Sequence, residues 1–372
     1  MRIGFLTYGG LDGLTGGTLY DRQLVDALSA RGHQVEIVAL PRRSWATGLL
    51  DNFLPGPAAR CSRHHVLVQD GLCHPSLLCL NRRLAGRRRL PVVALIHQVR
   101  SSRSARPPSS PWARWVERAY LRSVTACVFN SRDTCRRAFH LAGREVPATV
   151  APPGGDRLHP PPTREQAGAR DAPGPLRLLF VGNLSPVKGV LPLLQSLAEL
   201  PPDVWRLEVV GSLALDRRYA RRMVAWADAR GLSGRVRFHG VLTGEALRSA
   251  YRASEVFAMP FADEGFGIAA LEAMGFGLPV IGSRIGGVRE FVHHGEDGFL
   301  AAPGDLDGVR RVILHLHRDR KRLEIMGEAA RRSFRAQPTW AESMRIACEF
   351  LEGVPTRPAH PNVSPPQNRS GA

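Results

Sequence analysis

Apolar residues along this chain follow two alternating patterns. Short, nearly continuous apolar runs are separated by longer stretches in which apolar positions return every three or four residues. The first pattern predicts buried strands and the second amphipathic helices. Arg2–Tyr8 reads as a strand, and Thr18–Arg31 as a helix with Leu19, Leu24, Val25 and Leu28 on one face. Gly32 ends that helix, and Gln34–Leu40 is the next strand. Such a β–loop–α–β unit opens a parallel sheet. The alternation continues with strands at His65–Gln69, Pro91–His97, Val124–Asn130 and Ala148–Ala151, and helices at Ser76–Ala85 and Trp112–Ser123. Pro91–His97 is nearly all apolar, as expected of a strand covered on both faces.

The pattern breaks at Pro152–Pro175, which is rich in proline and glycine and marks a domain boundary. It resumes with strands at Leu176–Val181, Arg206–Val210, Val236–His239, Val256–Met259 and Pro279–Gly282, with helices between and beyond them to about Leu351. The chain is therefore expected to be α/β, with two Rossmann-like domains. The first spans 1–151, the linker 152–175, and the second 176–335. A final helix, 336–352, and a polar, proline-rich tail at 353–372, expected to be disordered, complete the chain.

Charge narrows the function. The 372 residues carry a net charge of +18, almost all of it from arginine, since Lys188 and Lys321 are the only lysines. Such an excess fits nucleic acid, an anionic membrane or an acidic substrate. No zinc finger, RNP-like aromatic strand or basic zipper is present, so nucleic acid is not an expected partner. The first domain concentrates arginine at Arg82–Arg89, at Arg100–Arg106 and in the stripe Arg114, Arg118, Arg122 beside Trp112 and Trp115. That arrangement fits an anionic acceptor or peripheral contact with an anionic membrane. No apolar run reaches transmembrane length, and MRIGFLTYGG reads as a strand rather than a signal peptide, so the expectation is a cytoplasmic protein. The six cysteines form no Cys-x-x-Cys and suggest reduced structural thiols.

The chemistry gathers in Phe261–Gly287. Glu264 and Glu272 lie eight residues apart, with Gly265, Phe266 and Gly267 leading from loop into a helix over Ile268–Met274. Free N–H groups at that helix start attract an anion such as phosphate. Glu272 is expected about 12 Å further along the axis. A nucleotide sugar has this layout: Glu264 would take sugar hydroxyls, the helix end the phosphate, and Glu272 the ribose hydroxyls. In the second domain, Lys188 follows Val-Gly-Asn at a helix start, where a cation can neutralise a leaving diphosphate. Gly16 and Gly17, at the first helix, allow close backbone approach of a ligand. His97 ends a strand, where open α/β sheets meet their ligands. Asp305-Leu306-Asp307 is an Asp-x-Asp, but it opens a helix and reads as a cap, so no metal is assigned.

These residues resemble the retaining glycosyltransferases of family 4, which have the GT-B fold. The resemblance runs from Gly16-Gly17 to Trp340, and is strongest in VGNLSPVKG, in HGVLTGEALRSAYRASEVFAMPFADEGFGIAALEAMGFGLPVIGS and in IGGVREFVHHGEDGFL. It implies two facing Rossmann-like domains with the site in the cleft and the final helix crossing back to the first domain. It places Glu264 on the donor sugar, Glu272 on the ribose, and Gly16, Gly17 and Lys188 about the diphosphate. His97 would lie beside the reacting sugar, Gly240 and Val241 near the base, and Asp156 in the interdomain turn. Asn183 stands where arginine is frequent, Gln98 where an acid is frequent, and Phe261 where serine is usual. The implied activity is transfer of a sugar from a nucleoside-diphosphate sugar to a hydroxyl of a glycan, lipid or small molecule. The family keeps the anomeric configuration and needs neither metal nor cofactor. The competing expectation is a non-enzymatic basic protein binding nucleic acid or membrane on the same scaffold, against which both glutamates and Lys188 argue.

Overall fold

The structure is a computed structural model that describes residues 1–41, 45–53, 61, 63–87, 90–102, 110–159 and 174–355. Twelve described strands form two parallel sheets of six. The first holds β1 (Arg2–Tyr8), β2 (Gln34–Leu40), β3 (Val66–Asp70), β4 (Val92–Ile96), β5 (Ala126–Phe129) and β6 (Ala148–Val150), in the order β2-β1-β3-β4-β5-β6. The second holds β7 (Leu176–Val181), β8 (Trp205–Val210), β9 (Val236–Gly240), β10 (Val256–Ala258), β11 (Val280–Ser283) and β12 (Gly298–Ala301), in the order β12-β11-β10-β7-β8-β9. This is the expected α/β architecture, with one strand, β12, that the sequence pattern did not show.

Register follows apolar content. Ile3, Phe5 and Leu6 of β1 are fully buried between β2 and β3, and β3 and β4 are buried along their whole length. A parallel sheet clad by helices on both faces requires this. In the second domain Leu178, Leu179 and Phe180 of β7 occupy the equivalent centre, paired with β8 and β10.

Both sheets reverse direction of winding at one point, and that is where ligands meet such sheets. In the second domain the reversal lies between β7 and β10. The loop after β7 carries Asn183 and Lys188; the loop after β10 carries Glu264.

Helix Trp340–Gly353 packs on the first domain. Thr339 and Glu342 form a reciprocal capping box at its start. Trp340, Met344, Ala347, Cys348 and Leu351 share one core with Ile3, Phe5, Tyr20, Leu24 and Leu28. Asp156 accepts from the Trp340 N–H at 2.9 Å, and Glu352 is gripped by Arg31 at 2.8 and 2.9 Å and by His33 at 2.8 Å. Those two partners hold the Glu352 carboxyl down at about 2. The expected tail beyond residue 355, most of the linker at 160–173, and Arg88, Arg89, Arg103 and Arg106 lie outside the described residues. Among the described residues no helix is long and apolar enough to cross a membrane.

Candidate active site

The carboxyl ends of the two sheets face each other. From the first domain comes helix Gly16–Ala30, capped by Thr15, whose hydroxyl accepts from the Thr18 N–H at 3.1 Å. Gly16 and Gly17 form its first turn. A side chain at Gly16 would meet Ile268 of the opposite domain at 3.4 Å, and one at Gly17 would meet the His97 ring at 3.1 Å. The helix Ile268–Gly275 therefore starts opposite the start of helix Gly16–Ala30. Two positive helix ends face one cleft, an arrangement suited to a diphosphate.

Lys188 ends the turn Pro186–Lys188 after β7, and its ammonium forms an ion pair with Glu264. Glu264 is held by its own backbone: it bridges Gly286, and its carbonyl accepts from the Gly287 N–H at 2.9 Å. Its carboxylate is 17% exposed and the Lys188 side chain 26%, so both are open to a ligand. Asn183 also sits here. Its carbonyl oxygen accepts from the Ser212 N–H at 3.0 Å, and its amide donates across the cleft to the Leu14 carbonyl at 3.3 Å. Gly240 ends edge strand β9 with φ of 74°, its added Cβ would meet open space, and Val241 beyond it is 44% exposed. That leaves backbone open to solvent at this edge of the sheet.

His97 follows β4, and the residues behind it were not anticipated. Its Nε2 lies 2.8 Å from Asp21 Oδ1, and its ring packs edge-on against Tyr20. Asp21, Asp70 and His97 are all buried, and each offers a ligand atom within 4.8 Å of the others, the one such cluster among the described residues. Burial disfavours a charged imidazole, but Asp21 and Asp70 outweigh it and lift His97 above its ordinary value. Burial and then Asp21 push Asp70 up to about 7, against the pull of His97.

Two expectations need correction. Glu264 lies in the loop four residues ahead of helix Ile268–Gly275, so Glu272 stands one turn into that helix and not two turns deep. Nor is its carboxylate free. It is 2% exposed, with Oε1 accepting from Arg157 at 2.7 and 3.0 Å and Oε2 from the Tyr251 hydroxyl at 3.0 Å. Burial raises its carboxyl while Arg157 pulls it down. Phe266 is 3% exposed and packs at a tilt against Phe291 at 5.0 Å, so its ring belongs to the core and only its backbone borders the cleft. Gly265 is pressed against the other domain: a Cβ there would lie 1.8 Å from the His97 carbonyl oxygen, so only glycine fits. Asp305 caps helix Leu306–Arg318 through the Gly308 N–H at 2.8 Å, and Asp307 pairs with Arg310.

The cleft is also stitched by residues that no motif announced. Gln98 donates to the Asp263 carbonyl at 2.5 Å, Arg137 pairs with the Asp263 carboxylate at 3.2 Å, and Thr134 donates to the Gly265 carbonyl at 3.3 Å. Glu290 accepts from the first two N–H groups of helix Arg132–Ala142 at 3.0 and 2.6 Å.

Residues 164–333 match the family model described as glycosyl transferases, group 1. A D-inositol 3-phosphate glycosyltransferase of Xylanimonas cellulosilytica is 31% identical over 65% of this chain and 60% of its own length. The sulfoquinovosyl transferase SQD2 of Arabidopsis thaliana is 41% identical over 25% of this chain and 19% of its own. The chain thus spans three-fifths or less of these curated relatives. Among solved structures, sucrose-phosphate synthase from Thermosynechococcus elongatus superposes with a TM-score of 0.76 at 21% identity, covering 94% of this chain and 98% of that one. Anabaena Alr3699/HepE in complex with UDP-glucose superposes with 0.75 at 20%, covering 95% and 100%. The second domain therefore belongs to the group 1 glycosyl transferases, and the whole chain is built on the two-domain GT-B fold.

Proposed function

We propose that this chain is a retaining glycosyltransferase that moves a sugar from a nucleoside-diphosphate sugar to an acceptor hydroxyl without a metal. The observation that carries the reading is the Lys188–Glu264 pair at the winding reversal of the second sheet, between two opposed helix starts. In the structure each residue neutralises the other. A bound donor replaces both contacts at once: its diphosphate takes Lys188 and the helix ends, and its sugar hydroxyls take Glu264. Because the pair is already in place, little side-chain ordering is left for the ligand to pay.

The bond from the anomeric carbon to the diphosphate oxygen then breaks, and Lys188 and the helix ends stabilise the charge that develops on that oxygen. The acceptor hydroxyl attacks the same face and passes its proton to the departing phosphate, so no separate protein base is required. His97 borders the reacting sugar, and Gly240 and Val241 offer backbone to the base. The complex of HepE with UDP-glucose makes that nucleotide sugar the first donor to try. The acceptor is a glycan, lipid or small-molecule hydroxyl, and a lipid acceptor would bring the first domain to an anionic membrane surface. A purely binding role is less favoured, because it gives no reason to pair Lys188 with Glu264 inside the cleft.

The test is a donor-hydrolysis screen with several nucleotide sugars, repeated in excess chelator. At least one donor should turn over, with full activity in chelator, and Lys188→Ala should slow it by about a hundredfold or more, the size of effect seen when one charge-stabilising donor is removed. No turnover with any donor would sink the enzymatic reading. Activity lost in chelator and restored by magnesium would sink the metal-free one and turn attention to Asp21, Asp70 and His97.

A further inference from the structure

Several arginines on the surface of this protein have a carboxylate beside them. Arg136 and Arg137 pair with Asp133, Arg248 and Arg252 with Glu245, Arg310 with Asp307, Arg345 with Glu349, and Arg31 with Glu352. One groove of the first domain gathers three arginines with no carboxylate on its walls. Helices His74–Arg87 and Pro111–Leu121 lie side by side on the outer face of the first sheet, and between them is a groove of about 620 Å³. Arg82, Arg118 and Arg122 line it together with Asn81, Ser123 and the ring of Trp115. None of the three arginines forms an ion pair among the described residues. Helix His74–Arg87 contains no carboxylate. The one carboxylate of the other helix, Glu117, is turned inward, where it accepts from the N–H groups of Arg100 and Ser101 at 2.8 Å each.

Three guanidinium groups converging without a counter-charge repel one another, and like charges at i, i+4 such as Arg118 and Arg122 weaken a helix. The dipole at the helix C-terminus offsets part of this for Arg118 and Arg122. It does nothing for Arg82, in the middle of the neighbouring helix. An external anion removes the repulsion altogether, and guanidinium forks match phosphate oxygens. Beside the groove, Trp112 and Trp115 are 55% and 47% exposed and stacked at 4.8 Å with their planes 15° apart. Soluble surfaces rarely leave two large indoles together in water. An indole pair at the edge of a phosphate-binding groove suits a bilayer interface, where one end of the ring is apolar and the other wet.

We infer that this groove and its tryptophan pair form a docking surface for an anionic lipid bilayer, with headgroup phosphates held by Arg82, Arg118 and Arg122. The sequence stripe is thereby redrawn: Arg114 lies outside the groove and Arg82, from another helix, completes it. Helix Pro111–Leu121 follows the segment leading out of His97, so its tryptophan end is the end nearer the cleft.

The test does not depend on any transferase activity. Purified protein is sedimented with vesicles of phosphatidylcholine alone, and with vesicles in which a quarter of the lipid is phosphatidylglycerol, at about 0.1 M salt, where exposed charges still act over roughly 10 Å. Wild type should pellet with the anionic vesicles only, and release at high salt. The triple variant Arg82→Gln/Arg118→Gln/Arg122→Gln should bind about a hundredfold more weakly, from the contribution of each basic residue at such a surface. A charge-matched control, Arg217→Gln/Arg218→Gln/Arg221→Gln on the second domain, should bind as wild type does. Trp112→Ala/Trp115→Ala should weaken binding while leaving its salt dependence. Circular dichroism checks that each variant is folded, and the single variant Arg82→Gln stands in if the triple is not. Equal pelleting with both vesicles, or equal loss in the charge-matched control, overturns the inference. Release of bound protein by millimolar inorganic phosphate would assign the groove to a free anion instead, and so would also overturn it.

Discussion

At the scale of single residues, His97 rests on Asp21 and Glu272 on Arg157. Glu264, Lys188 and His97 stand out because of type and position: a carboxylate before Gly-Phe-Gly, a rare lysine, a histidine ending a strand. Their partners are remote in sequence. Asp21 lies 76 residues from His97, and Arg157 lies 115 residues from Glu272. No local spacing encodes such a contact, so the ribose role expected of Glu272 took no account of the arginine already on it. The His97 cluster allows a prediction. Its imidazole binds a proton more tightly in the folded chain than in the unfolded one, where the value is 6.5. The stability this contributes is full below about pH 6.5 and is lost as pH rises through the higher folded value. Asp70, lifted from 3.8 to about 7, acts in the same direction, since its buried carboxylate weakens the fold increasingly between those values. Asp21→Asn should therefore cost more at pH 6, about 1.5–3 kcal/mol for a lost charged hydrogen bond, than at pH 9. Paired thermal melts check this. The His97 ring resonance, followed by NMR, should titrate at lower pH in the variant. An equal cost at both pH values would mean that His97 is neutral in the fold.

At the scale of elements, strands and helices were legible wherever apolar runs were long. Ends and short pieces were not. Helix Pro111–Leu121 begins one residue early because Ser110 caps it, accepting from the Ala113 N–H at 3.2 Å. The contacts between loops escaped entirely, since they depend on how the domains meet. Glu290 is the clearest case. It sits in the turn Gly287–Glu290 of the second domain, yet its carboxylate caps helix Arg132–Ala142 of the first, whose own cap, Ser131, serves the Thr134 N–H. Losing a charged cap costs roughly 0.5–2 kcal/mol. Here the cost falls only on the closed cleft, because an open cleft has already lost the contact. Glu290→Ala should therefore shift the closed-to-open ratio by up to about thirtyfold toward open, since 1.4 kcal/mol is one decade. Small-angle scattering of the unliganded protein should show a larger radius of gyration than wild type, with the melting of each domain unchanged. An unchanged radius would show that Arg137, Gln98 and Thr134 suffice to keep the cleft shut.

At the scale of the whole molecule, the chain closes on itself. The last described helix belongs to the core of the first domain, although more than 150 residues of second domain separate it from β6. Asp156 and Pro152, in the crossing segment, bind its first turn, and Arg31 and His33 bind its last through Glu352. Between these ends Trp340, Met344 and Leu351 are 5%, 3% and 0% exposed. Burying three such side chains contributes of the order of 5–9 kcal/mol. A domain of this size has only about 5–15 kcal/mol of net stability. The first domain should therefore lose most of its stability without the helix, since Ile3, Phe5, Tyr20, Leu24 and Leu28 lose the cover of one core face. A chain ending at residue 339 should keep a folded second domain, because the second core is built from Leu158 to Ala330 and contains no residue of that helix. Its first domain should melt far below the intact protein or precipitate. Calorimetry decides the point. Two transitions are expected in the truncated chain, the first near or below room temperature, against a high-melting intact protein. A single transition at the intact temperature would show that the helix merely rests on the first domain.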